Sequence, residues 1–234
     1  MNDWLISLAL AIVPAVLAIT LHEAAHGYAA LALGDTTARD AGRLSLNPLR
    51  HVDRTGTLVV PGILLVTQLL LPPHRVSFMF GWAKPVPIGA WRFKDPRRGM
   101  ALVALAGPAA NMALAWMAAL FYPAQAIALL GGGPLLAQFL FHFILFNLVL
   151  GLFNLLPIPP LDGGRVMVGV LPEDLARKWA GLERYGIVIV LGLVFLLPRM
   201  TDFDPVGDAL ETVLPWAFRT IFWLAGHDLG GARL

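Results

Sequence analysis

Along the chain, long apolar runs alternate with short polar ones. The longest, Trp4 to Leu33, exceeds the roughly 20 residues that a helix needs to cross a bilayer. Met100 to Phe121 and Leu135 to Leu156 read as further spans, Ile187 to Leu197 begins another, and Leu210 to Ala225 is an apolar helix containing Pro215. Trp216 and Trp223 suit a membrane interface there. Gly56 to Leu71 is short and carries Pro61, so it reads as a tilted span or a re-entrant hairpin. Val76 to Ile88 is rich in β-forming residues but broken by Pro85 and Pro87, which suits an edge strand, a hairpin or a plain loop, since proline cannot donate to a ladder. The pattern predicts an α-helical polytopic membrane protein with about four to six transmembrane helices and room for a re-entrant β-hairpin within 56–90. With no repeat, long linker or appended soluble domain in view, it reads as a single domain, 1–234, with a core at 4–171 and C-terminal membrane helices at 185–225.

Composition supports that reading and removes others. Hydrophobic residues make up 58% of the chain and charged residues only 14%, with mean hydropathy +0.72, far from the quarter-charged balance of soluble domains. There is no cysteine, which excludes disulfides and thiolate metal ligands. The net charge is only +2 and the Arg and Lys residues lie in loops, so they read as topology signals and lipid-headgroup contacts, with no nucleic-acid partner. Asn2 and Asp3 stand where a cleaved signal peptide would be basic, so the first helix is expected to stay. Arg39, Arg43, Arg50 and Arg54 follow that helix, and Arg92, Lys94, Arg97 and Arg98 precede the Met100 span. The positive-inside rule places both loops on the cytoplasmic side of what is expected to be a bacterial-type cell (inner) membrane.

One span carries chemistry. His22 and His26 stand four residues apart, which on a helix puts both imidazoles on one face where their nitrogens can meet one metal ion. Glu23 lies about 100° round from His22 and about 60° from His26, close enough to serve a reacting water without ligating. This is the HExxH arrangement of a zinc hydrolase, and ionisable residues at membrane depth mark function by default. His26 is about seven residues, or about 10 Å, from the cytoplasmic end of its helix, so the site is expected to open to that side.

Catalytic zinc takes three protein ligands, so a third must come from elsewhere. Asp35, Asp40, His51 and Asp53 in the following loop read as solvated residues. His142 lies mid-span with no helix break to aim it, and Asn111 is a weak neutral ligand. Asp162 follows Pro157, Pro159 and Pro160, which forbid helix and force an extended path, and precedes Gly163 and Gly164, which let the chain turn tightly. An acid at the end of a span, just past a forced break, is best placed to complete the site. The run Ala106-Gly107-Pro108-Ala109-Ala110-Asn111 puts small residues where helices pack closely and an amide where a partner is needed.

Together, His22-Glu23-Ala24-Ala25-His26 on a membrane helix, Gly107 through Asn111 in a later span, and Asn154-Leu155-Leu156-Pro157 through Leu161-Asp162-Gly163 after another resemble the site-2 protease family of intramembrane zinc metalloproteases, over about residues 15 to 170. The resemblance implies that one zinc ion is held by His22, His26 and Asp162, and that Glu23 is the catalytic acid and base. It also implies that Asn111, Asn154 and Pro157 take part in handling substrate. The implied substrate is a transmembrane protein cut within or near its membrane segment, often after another protease has trimmed it, in regulated intramembrane proteolysis. Unlike many members, the sequence shows no PDZ or CBS module and looks like a minimal core.

Two other classes fit less well. A membrane metal-ion transporter also puts His and Asp inside the bilayer, but it needs several sites along a path, and the spans hold too few acids. A catalytically silent membrane scaffold would tolerate loss of Glu23, which is intact.

Overall fold

The computed structural model describes residues 3–70, 81–122, 131, 133–201 and 203–227. Helix α1 runs over Asp3–Ala32 and the short α2 over Thr37–Asp40. A π-helical turn at Arg54–Val59 leads into α3, Val60–Leu70. Helix α4 covers Pro96–Leu120, α5 Pro134–Leu155, α6 Asp162–Val170 and α7 Glu173–Gly181. Helix α8 starts at Gly186–Leu191 and continues through a π segment to Met200, and α9 is Pro205–Leu224. Among the described residues four helical stretches are long and apolar enough to cross a membrane: Leu8–Ala32, Pro96–Leu120, Pro134–Leu155 and Glu173–Met200. The described part of helix α3 has 11 residues, about 17 Å at 1.5 Å per residue, and follows the π-helical turn without a break.

Starts of helices follow local chemistry. Asp95 caps α4 by accepting from the amides of Arg97 and Arg98, and Pro96 fills the first position, where a missing N–H costs nothing. Asp204 and Pro205 repeat the device at α9. Helix α5 stops where Pro157 removes a donor and bars helical geometry from the residue before it.

Helices α1, α4 and α5 form the centre, with α1 and α5 each packed antiparallel to α4 through small residues. Ala18 of α1 lies beside Asn111 of α4, and His26 beside Val103. Asn147 of α5 meets Asn111, while Gly151 lies close to Met112 and the Pro108 carbonyl. The face Ala115, Ala118 and Ala119 of α4 is covered by Ile144 and Leu148 of α5 and by Ala217, Phe218, Ile221 and Phe222 of α9, with Phe218 and Phe222 stacked at 5.0 Å. On α8, Val188, Leu196 and Met200 are exposed, as suits side chains solvated by lipid.

After the break, α6 continues along α4 in the direction of α5. Gly169 lies against Ala101, and the Arg97 guanidinium donates to the carbonyls of Val168, Gly169 and Leu171, tying the end of α6 to the start of α4. Helices α5 and α6 therefore make one span interrupted part-way along α4. The interruption differs from the sequence expectation. It is not extended: Ile158 N–H donates to Leu156 O at 2.7 Å and Leu161 N–H to Ile158 O at 2.9 Å, a pair of tight turns. Gly163 and Gly164 are helical and make no turn. They permit close approach, since a Cβ at Gly163 would strike the carbonyls of Leu155 and Leu156, and one at Gly164 would lie 2.6 Å from Pro159 N.

No β-strand occurs among the described residues, so 81–88 is not part of a strand or hairpin, and residues 71–80 of the expected segment lie outside the described residues. Instead 81–89 runs irregularly, held by Trp82 N–H on Gly56 O (3.1 Å), Lys84 N–H on His51 O (2.8 Å) and Arg43 Nη2–H on Lys84 O (2.8 Å). Proline at 85 and 87 removes two donors and leaves only the Val86 amide between them, which bonds to the Glu23 side chain rather than extending a ladder.

Candidate metal centre

Three side chains from two spans converge where the helix break faces α1. His22 Nε2 lies 3.1 Å from His26 Nε2 and 3.1 Å from Asp162 Oδ2, and His26 Nε2 lies 3.3 Å from the same oxygen. All three residues are buried, at 5%, 7% and 6% exposure, and they are the one such group of potential ligands among the described residues. The chain brings Asp162 to the histidines by stopping α5 short and restarting a helix at that residue. It therefore sits in the first turn of α6, at the favourable end of the helix dipole.

Proton bookkeeping at this cluster favours a cation. His22 Nδ1–H donates to Asn111 Oδ1 at 2.6 Å, and His26 Nδ1–H donates to the Val103 carbonyl at 2.7 Å. In its neutral form each imidazole spends its one proton there, which leaves both Nε2 atoms with lone pairs. Asp162 Oδ2 finds no hydrogen-bond donor. Three lone pairs thus face one another at 3.1 to 3.3 Å. An added proton would bridge only one pair, whereas a metal at the centre serves all three. Tetrahedral zinc with bonds of about 2.0–2.1 Å would hold its ligands about 3.3 Å apart, close to the observed edges. The donor set of two imidazoles and a carboxylate fits that ion, and each histidine has the outer partner that such ligands usually require.

Gly107 of α4 is the wall behind both rings. A Cβ there would lie 2.5 Å from His26 Cε1 and Nε2 and 2.6 Å from His22 Cε1, so only glycine leaves room for the imidazoles. Sequence reasoning assigned this residue to helix packing alone. It also passed over Asn147, which is wholly buried beside Asn111; a second amide inside an apolar span was the available signal.

Glu23 is half-buried next to His22, and its Oε2 accepts the Val86 N–H at 3.0 Å. The irregular segment 81–89 thus passes directly over the candidate catalytic carboxylate. Its far end is fastened by Gly89 N–H on Asp35 Oδ2 at 2.7 Å. Asp35 is buried, which pushes its carboxyl up, yet the Thr37 hydroxyl and amide, the Gly89 amide and nearby Arg92 together hold it below the usual carboxylate range.

The remaining sequence candidates lie elsewhere. Asn111 is fully buried and bonded to His22. The Asn154 amide donates to Leu150 O of its own helix, and Pro157 is exposed at the break. His142 bonds to Gln138 O one turn back and does not reach the cluster. Asp53 caps the turn at Arg54–Val59, His51 donates to Ser45 O, and Asp40 accepts from Thr36.

A family model, described as peptidase family M50, matches residues 124–198. YwhC of Bacillus subtilis, named as a candidate zinc metalloprotease, is 37% identical over 193 residues, covering 80% of each chain. Rip2 of Mycobacterium tuberculosis, named likewise, is 29% identical over 221 residues, 92% of this chain and 72% of that protein. Rip3 of the same species is 38% identical over 120 residues, 49% of this chain and 30% of that one. No solved structure matches.

Proposed function

Since the chain belongs to peptidase family M50, the site-2 protease family, we propose that it is an intramembrane zinc metalloprotease that hydrolyses a peptide bond within or near a transmembrane segment of a membrane-protein substrate, in regulated intramembrane proteolysis. The observation that carries this reading is the convergence of His22, His26 and Asp162 beside Glu23, with both histidines on an apolar span.

His22, His26 and Asp162 are the residues that would hold zinc. The ion supplies a Lewis acid that polarises the scissile carbonyl and lowers the pKa of water towards about 7. Glu23 is the base: with Oε2 held by the Val86 amide, Oε1 remains to take the proton of the attacking water and return it to the leaving amine nitrogen. The carboxylate of Asp162 offsets part of the metal's charge in a medium where an unpaired ion of either sign is costly. Water reaches this group from the side carrying Arg39, Arg43, Arg50, Arg92 and Arg97, which the charge pattern assigns to the cytoplasm.

A substrate helix must unwind before cleavage, because its carbonyls are blocked by their own hydrogen bonds. Segment 81–89 lies beside Glu23 and is the favoured surface for pairing with the unwound strand, and the turns at 157–160 are the alternative. Asn154 and Pro157 border the latter.

The test is direct. Purified chain should hold about one zinc and cleave a single-span peptide; a chelator should stop cleavage and added zinc restore it. Zinc uptake into liposomes without cleavage would favour transport instead. Substrate crosslinks confined to α8 and α9 would overturn the docking surface.

A further inference from the structure

The two histidines acquire their tautomers by different means. His26 Nδ1 faces a backbone carbonyl, which has no donor side, so its proton must sit on Nδ1 and Nε2 must be free for metal. His22 Nδ1 faces the side-chain amide of Asn111, and an amide turned by 180° would present NH2 in place of oxygen. The proton of His22 would then move to Nε2, where it could bond Asp162 Oδ2 at the existing 3.1 Å separation. That arrangement gives Asp162 Oδ2 a donor without a metal and blocks the ligand atom of His22.

Asn147 stands against it. Asn111 Nδ2 donates to Asn147 Oδ1 at 2.8 Å, and more weakly to Ala18 O at 3.4 Å. Asn147 is itself oriented, because its Nδ2 donates to Phe143 O at 2.8 Å. Turning both amides together would preserve the bond between them but bring Asn147 Oδ1 against the Phe143 carbonyl. Both asparagines are fully buried, so no water compensates a wrong orientation. The polarity thus runs in one direction, from a backbone carbonyl of α5 through Asn147 and Asn111 to His22.

From this we infer that Asn147 is a positioning residue: it fixes the amide of Asn111 and thereby the nitrogen of His22 that faces the metal. The inference rests on the metal reading above. Outer partners of metal-ligating histidines typically contribute 10- to 100-fold in metal affinity.

The experiment measures zinc affinity of the full chain by competition with a chromophoric chelator, and the ring 15N signals of His22 in zinc-free protein. Asn147→Leu should bind zinc about 10- to 100-fold more weakly, with the His22 proton moved to Nε2. In an Asn111→Asp background, where a carboxylate accepts in either orientation, adding Asn147→Leu should change affinity by less than about threefold. If leucine prevents folding, Asn147→Val carries the same expectations. Unchanged affinity in Asn147→Leu, or equal weakening in both backgrounds, would overturn the role; equal weakening would assign Asn147 to packing alone. A wild-type chain that holds no zinc would instead overturn the metal reading itself.

Discussion

Gly107→Ala tests the geometry of the site from the side opposite its ligands. The new Cβ would lie 2.5 Å from two atoms of His26 and 2.6 Å from one of His22, whereas ordinary contacts begin at 3.4 Å. The rings must therefore retreat by about 0.9 Å, or α4 must move away from α1 by a similar amount. Metal–ligand distances tolerate only about 0.2 Å. The helix interface resists too: Ala18, Ala24 and Ala30 on α1 and Ala104 and Ala115 on α4 are all buried with little slack. Overpacking a filled site costs about 1–3 kcal/mol, which converts to a roughly 5- to 150-fold loss in zinc affinity. Chelator competition on the purified variant measures it, alongside thermal unfolding with and without zinc. Because imidazoles freed from metal can turn aside, zinc-free variant and wild type should unfold within a few degrees, while the midpoint gain on adding zinc shrinks. Wild-type zinc affinity in Gly107→Ala would refute the reading that this glycine makes room for the rings.

Other expectations follow from single contacts. Glu23→Gln leaves the three ligands in place but removes the proton acceptor, so zinc content should stay near wild type while cleavage falls by about 10² to 10⁴ or more; retained cleavage would mean that another group takes the proton. Asp162→Ala should lose both zinc and activity, whereas His142→Ala, whose imidazole bonds only one turn back along its own helix, should keep both; the opposite pattern in metal analysis would reassign the third ligand. Asp35 has a depressed pKa, so its contribution to stability is present above the unfolded value of about 3.9 and disappears as pH falls through the lower folded value. Asp35→Asn should therefore cost about 1–3 kcal/mol near neutrality, narrowing as the pH falls through that window; a difference from wild type that does not change with pH in unfolding scans would exclude this ionisation.

Much of this protein was legible from residue order because the lipid environment imposes local rules. A span must be long, apolar and internally hydrogen-bonded, so the major helices declare themselves by length, and Pro96, Pro134 and Pro157 mark helix ends within a residue or two. His22, Glu23 and His26 lie within a single turn, where helical periodicity alone sets their relative directions. Asp162 was readable as the third candidate from the proline break, although the break's shape was not: tight turns and helical glycines, not an extended path, bring the carboxylate to the histidines. Tertiary structure decided everything that depended on the contact of one helix with another. Nothing in the local sequence tells that Gly107 faces two imidazoles, that Val86 lends its amide to Glu23, or that Asn111 and Asn147 meet. These contacts join residues between 36 and 85 positions apart. Periodicity says which residues share a helix face but not which neighbour covers it, and that choice is made by the packing of small residues that let α1, α4 and α5 approach closely.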